Sequence, residues 1–218
     1  MSDSEHELRS FGRRRGANRA RQSALLLHDL PRLSFNPAAP PEGFAQTWLE
    51  IGFGGGEHLL WQARRNPGVA LIGCEPFEDG MIKVLTAVTE ENLKNIRLHM
   101  DDVRNILRAA QSNSRSRLYP VSDPWPRRKH RKRRLVNNSL LSLLANVMRP
   151  GAELRIGTDI GDYARTMLEA FAQEPRFIWQ AASPEDWRIR PADWPETRYE
   201  AKAVREGRKR YYFRFLRA

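Results

Sequence analysis

The segment Leu49-Glu50-Ile51-Gly52-Phe53-Gly54-Gly55-Gly56-Glu57 constrains this chain more than any other. The apolar run TWLEIGF (47–53) reads as a strand, and EHLLWQARRN (57–66) carries apolar residues at helical spacing. A strand that passes through a glycine-rich turn directly into a helix has few uses. Glycine permits a sharp turn and a close approach of backbone to ligand, and the helix N-terminus favours an anionic group. The spacing is G-x-G-x-G at Gly52, Gly54 and Gly56, unlike the G-x-G-x-x-G of dinucleotide sites, and Glu50 stands two residues before the first glycine. A plain tight turn is the alternative reading of such a triplet on its own.

The rest of the chain supplies a context. Apolar strands at 70–75, 96–100, 117–121 and 152–159 alternate with helical patterns at 77–93, 103–111, 134–148 and 163–174, and late strands follow at 177–180 and 211–218. That alternation predicts βαβ units and a mostly parallel sheet. Glu75 closes the second strand, where an acid accepts hydrogen bonds from ribose hydroxyls; Asp101 and Asp102 close the third, suited to an adenine edge. Asp101 equally suits the N-cap of the helix at 103–111. Residues 1–46 read as an arm and linker, with an arginine cluster, the apolar patch Ala24–Leu27 and the proline-rich Pro37–Gly43; the folded domain is expected over 47–218. Nothing approaches the ~20 apolar residues of a spanning helix, and the N-terminus lacks the apolar region of a secretory signal. The single cysteine, Cys74, excludes an internal disulfide framework and a cysteine zinc site, and suits a reducing cytosol. His99 and His130 lack neighbours at metal-ligand spacing.

Charge points outward to a polyanion. The 218 residues hold 37 Lys and Arg against 26 Asp and Glu, a net charge of +11. More than half of the basic residues fall in three segments: six in 9–21, seven in 127–134 and eight in 198–217. Solvated faces account for any one cluster, but three on one small chain favour phosphate binding, which is salt-dependent through counterion release.

Ser122-Asp123-Pro124-Trp125-Pro126 follows the fourth strand and leads straight into RRKHRKRR (127–134). Trp125 suits a base-stacking platform or the core equally, and Asp123 before proline is also a turn-former. A carboxylate at 123 would also stabilise positive charge developing on a base as it accepts a methyl group.

The glycine turn resembles motif I of S-adenosylmethionine-dependent methyltransferases. RSFGRRRG (9–16), LEIGFGGGEH (49–58), GCEPF (73–77), NIRLHMDD (95–102), SDPWPRRKHRKRRLV (122–136), GTDIGDY (157–163) and TRYEAKAVREG (197–207) together resemble the bacterial tRNA (guanine-N7)-methyltransferases. The resemblance implies a Rossmann-like class I S-adenosylmethionine-dependent methyltransferase fold: α/β, with a mostly parallel seven-stranded sheet and helices on both faces. It implies Glu50, Glu75, Asp102 and Asp123 as donor-binding carboxylates beside Gly52, Gly54 and Gly56, with Asp123 also the catalytic acid. Asp159, Thr197, Arg198, Tyr199 and Glu200 match substrate-contacting positions. Arg127 stands where the family commonly has lysine, which keeps the charge but changes the geometry. Lys129, His130, Arg131, Lys132, Arg133 and Arg134 are the expected RNA contacts. An acid at 159 or 200 near basic segments is equally well accounted for by a structural salt bridge.

The implied activity is methylation of guanine 46 in the tRNA variable loop, in the cytoplasm, with S-adenosylmethionine, no metal and no membrane; monomer and homodimer stay open. A methyltransferase for another RNA or DNA, and a non-catalytic RNA-binding module on the same fold, are the alternatives. A nicotinamide-dependent oxidoreductase is disfavoured by the glycine spacing and the basic clusters.

Overall fold

The structure, a computed structural model, describes residues 19–39, 41–110, 116–120 and 134–218. Seven strands form one sheet: β1 (Gln46–Ile51), β2 (Val69–Cys74), β3 (Ile96–His99), β4 (Ser116–Pro120), β5 (Glu153–Thr158), β6 (Phe177–Trp179) and β7 (Tyr211–Arg217). Their order is β3-β2-β1-β4-β5-β7-β6. The first five run parallel, and β7 lies antiparallel between β5 and β6. The chain works outward from β1 to β3 and then returns to place β4 on the other side of β1. That reversal opens a crevice beyond the carboxyl ends of β1 and β4, the place where open α/β sheets bind ligands.

The helices are α1 (Arg19–Ala24) and α2 (Leu30–Leu33), joined by a π-helical turn at Leu25–Asp29; then α3 (Glu57–Arg65), α4 (Glu78–Glu90), α5 (Val103–Ala109), α6 (Asn138–Val147), α7 (Gly161–Ala172), α8 (Glu185–Arg188) and α9 (Arg198–Arg205). The period-2 alternation of β1 divides the core between the two sheet faces. Leu49 and Ile51 pack with Ile106, Leu140, Leu144, Tyr163 and Phe171, the layer of α5, α6 and α7. Trp48 points the other way, toward Leu59, Leu71, Met81, Leu85 and Leu98, the layer of α3 and α4. Glu50 has the parity of Trp48, which directs its side chain toward α3.

Two expectations shift. The helix expected over 134–148 begins only at Asn138, because the Asn137 side chain accepts the Leu140 amide at 3.0 Å as an N-cap and the Val136 amide is drawn to the Tyr163 hydroxyl at 2.9 Å. The stretch read as an arm is partly folded onto the domain. Leu25, Leu26, Leu30 and Leu33 pack against the α3–α4 layer, and the Phe35 amide donates to Leu98 O at 2.9 Å, extending the sheet edge beyond β3.

Candidate active site

The glycine turn is held by its neighbours as well as by its own torsions. Gly52, Gly54 and Gly56 have φ of 71°, 56° and 81°, the left-handed region that side chains avoid. From α4, Gly80 completes the fit, since a Cβ there would stand 2.2 Å from the Gly54 carbonyl oxygen. Glu75 is buried and accepts from the Gly54 amide at 2.8 Å and the Phe77 amide at 3.0 Å, tying the turn to the end of β2.

Glu50 is 1% exposed. Its Oε2 receives His58 Nδ1 at 2.7 Å, and its Oε1 is buried with no hydrogen-bond partner among the described residues. A buried carboxylate oxygen left unsatisfied is expensive, so the site is built to receive a hydrogen-bond donor. At the end of β3, Asp102 rather than Asp101 caps α5. Its Oδ1 accepts from the Arg104 amide and Nε, both at 2.9 Å, and Arg104 Nη2 pairs with Oδ2. Burial raises the Asp102 carboxyl, but the Arg104 hydrogen bonds and charge outweigh it and hold the group below its ordinary value. Asp101 accepts from Asn105 Nδ2 at 2.8 Å. Burial pushes the neighbouring His99 below its ordinary value, against a backbone hydrogen bond and the charges of Asp101 and Asp102.

Helix α9 brings the segment at 197–200 onto the glycine turn. The Thr197 hydroxyl caps the helix, accepting the Glu200 amide at 3.3 Å. Arg198 pairs with Glu57 at the start of α3, and Tyr199, 56% exposed, lies so close that a Cβ on Gly54 would meet its ring at 3.4 Å. Glu200 turns inward instead: it is 8% exposed, accepts the Tyr212 hydroxyl, and has Arg190 and Arg210 each at 3.5 Å. Asp159, near the end of β5, pairs with Arg208 at 2.8 Å. Arg134, read from sequence as an RNA contact, is 4% exposed; its guanidinium reaches Asp162 at 2.8 Å and Thr166 at 3.2 Å and lies over the Tyr163 ring. The run of charge hid an arginine that α7 holds. Asp123, Arg127, Lys129, His130, Arg131, Lys132 and Arg133 lie outside the described residues.

Sequence reasoning passed over His58, Gln62, Glu57, Gly80 and Arg104. One signal was available: His58, Gln62 and Asn66 recur every four residues, a polar stripe that runs among the apolar residues Leu59, Leu60 and Ala63 of the same helix.

Residues 45–213 match the family model described as "Putative methyltransferase". The solved 16S rRNA methyltransferase KamB superposes with a TM-score of 0.54 at 16% identity, covering 81% of this chain and 90% of that one. A methyltransferase of Streptococcus mutans solved in complex with SAH gives 0.53 at 13% identity, covering 88% and 96%. Strand order, the glycine turn at the sheet's reversal and the acids around it define a class I S-adenosylmethionine-dependent methyltransferase. Among curated proteins, the tRNA (guanine-N(7)-)-methyltransferase of Rhodospirillum rubrum is 43% identical over 97% of this chain and 88% of its own length. The protein of the same name from Brucella anthropi is 41% identical over the whole of both chains. This chain belongs to the tRNA (guanine-N7)-methyltransferase family.

Proposed function

We propose that this protein methylates N7 of guanine 46 in the variable loop of tRNA, in the cytoplasm, with S-adenosylmethionine as donor. The observation that carries the donor site is the free, buried Oε1 of Glu50 beneath a glycine turn at the reversal of the sheet. The residues fit that ligand: a close-packed turn that side chains would obstruct, and carboxylates at the ends of β1, β2 and β3 to accept hydrogen bonds. When bound, S-adenosylmethionine supplies an electrophilic methyl group on a sulfonium.

The chain's own task is then positioning and electrostatics. Guanine N7 has its lone pair in the ring plane, so no general base is needed to expose it. Positive charge grows on the base as the bond forms, and the Asp123 carboxylate stabilises it where it appears. Holding N7 in line with the methyl group supplies much of the remaining acceleration. Arg198, Tyr199 and the basic run at 127–133 hold the tRNA against the donor turn, and Asp159 and Glu200 fix the arginines around them. No helix among the described residues is long and apolar enough to cross a membrane.

The test is direct. Unmodified tRNA transcript is incubated with the protein and methyl-labelled donor, and N7-methylguanine is mapped by reduction and aniline cleavage. Cleavage at the variable-loop guanine is expected. Label at another base, or none in a transcript carrying guanine 46, overturns the assignment.

A further inference from the structure

One buried histidine stands behind Glu50, and its role rests on the donor-site reading of that carboxylate. His58 is 2% exposed and sits between two groups that dictate its protons. On one side Nδ1 lies 2.7 Å from Glu50 Oε2. An ionised carboxylate only accepts, so Nδ1 must carry hydrogen. On the other side His58 Nε2 lies 3.3 Å from Gln62 Nε2. The orientation of that amide is fixed independently. Its nitrogen faces the Asp193 carbonyl at 3.2 Å, and a carbonyl can only accept; its oxygen receives Asn66 Nδ2 at 3.0 Å. Gln62 therefore presents N–H to His58, and His58 Nε2 must offer a lone pair. Both neighbours demand the same form: hydrogen on Nδ1, none on Nε2.

We propose that His58 is a positioning residue for donor binding, locked as the Nδ1–H tautomer by the relay Asn66–Gln62–His58, so that Glu50 Oε2 is occupied and Oε1 alone is turned to the ligand. Trp194 closes the arrangement, its ring tilted on His58 with centroids 5.0 Å apart. A fixed donor on one oxygen sets the plane of the carboxylate, and a carboxylate already oriented loses less freedom when ligand arrives. The relay also joins α3 to the Asp193–Trp194 loop, so the carboxylate is positioned from outside the glycine turn as well as from within it.

The full-length protein is studied with S-adenosylhomocysteine, which binds without turnover. Nitrogen-15 spectra of histidine-labelled protein are expected to show His58 with protonated Nδ1 and bare Nε2; the opposite tautomer overturns the proposal. By calorimetry, His58→Phe is expected to weaken binding about 10-fold, the size typical of a side chain that orients a ligand-binding group. His58→Asn, whose amide N–H reaches the Nδ1 position, recovers most of that loss. In a Glu50→Gln background the His58→Phe effect disappears. Equal losses for Phe and Asn, or a full His58→Phe loss without the Glu50 carboxylate, reduce His58 to packing and overturn the proposal while the donor site stands. Absence of binding by the unaltered protein overturns the donor site itself, and the proposal with it. Should His58→Phe fail to fold, Gln62→Leu tests the same point: Glu50 still holds hydrogen on Nδ1, but Nε2 loses its donor, so the Nε2 resonance is expected to shift and S-adenosylhomocysteine binding to weaken, and an unchanged Nε2 resonance with unchanged binding overturns the relay.

Discussion

Arg198 at the start of α9 forms an ion pair with Glu57 at the start of α3, directly over Gly55 of the donor turn. The two residues are 141 positions apart in sequence, and their pairing places a substrate-side helix on the donor-side loop. Both side chains are partly solvated, so the pair adds only about 0–1 kcal/mol to stability. Its consequence lies in coupling. Ordering of the turn by donor and ordering of α9 by tRNA each prepare the other, and by linkage the effect is reciprocal. Arg198→Ala is expected to leave the melting temperature nearly unchanged while abolishing the tightening of tRNA binding by S-adenosylhomocysteine. Titrations of tRNA with and without that ligand check it, and an undiminished coupling in the variant removes the ion pair from any such role.

Gly80 is a steric prediction. A Cβ there would stand 2.2 Å from the Gly54 carbonyl and 3.2 Å from Glu75 Cγ, so backbone must yield on one side or the other. Gly80→Ala should cost about 1–3 kcal/mol as overpacking and weaken donor binding with it. Gly68 provides the control, with nothing within 4 Å of an added Cβ. Gly68→Ala is expected to leave both denaturation midpoint and donor affinity within error or slightly improved. Parallel losses in the two variants would mean that glycine-to-alanine changes are costly here for reasons other than steric overlap.

Much of this architecture is legible in the chain because its signals are local. The G-x-G-x-G turn, the acids at 50, 75 and 102, and the alternation of strand and helix need only neighbours in sequence. What escaped depends on distance. The α9 segment RYEAKAVR buries only Glu200 and Ala203, too few apolar residues to announce a helix. Arg134 looks like its basic neighbours until Asp162 and Tyr163 of α7 meet it. The leucines of residues 25–33 are interrupted by Pro31, tolerated because it falls in the first turn of α2 where an amide is unneeded. His58 reads as an ordinary helix residue until Glu50 and Gln62 are seen on either side of it.

Acid should destabilise the protein through His99. Its Nε2 is buried with no hydrogen-bond partner among the described residues, and burial lowers its affinity for a proton. The unfolded chain takes up that proton near the ordinary value of 6.5, while the folded chain resists to lower pH. The contribution to stability is therefore full above that value and is lost as pH falls below it toward the folded value. Melting temperatures between about pH 7.5 and 5.5 are expected to fall, and to fall less steeply in His99→Gln, given the ordinary histidine range. Identical slopes would assign the acid sensitivity to other groups.

Glu200 separates a structural from a substrate-contacting acid. It accepts the Tyr212 hydroxyl and sits between Arg190 and Arg210, both near one-third exposed. Burial and the Glu200 carboxylate together push the Tyr212 phenol well above its ordinary value, so it remains a donor at any working pH. Glu200→Ala takes a shared acceptor from two arginines and a phenol and is expected to cost about 2–4 kcal/mol, toward the lower end because the arginines reach solvent and Arg190 keeps its bond to Trp194 O. Chemical denaturation measures it. Loss of tRNA affinity with stability intact would instead place the carboxylate on the substrate.

The basic run divides into two kinds of arginine, and salt tells them apart. Lys129, Arg131, Lys132 and Arg133 are read as phosphate-binding side chains, each of which releases counterions on binding. Replacing all four by alanine is expected to weaken tRNA binding and flatten the log–log salt dependence by about 0.7–0.9 for each phosphate no longer neutralised, with the folded state barely affected. Arg134 is one residue further on and belongs to the fold: it reaches Asp162 at 2.8 Å and stacks on Tyr163, with 4% of its surface exposed. Arg134→Ala should do the reverse, costing about 1–3 kcal/mol of stability because the buried guanidinium's packing on Tyr163 and its bond to the partly exposed Asp162 are lost, while the salt slope of the surviving folded protein stays unchanged. Filter-binding titrations across a salt series, paired with urea denaturation of each variant, provide both readings. A flattened slope in Arg134→Ala at undiminished stability would move the boundary of the RNA-contacting surface into α7.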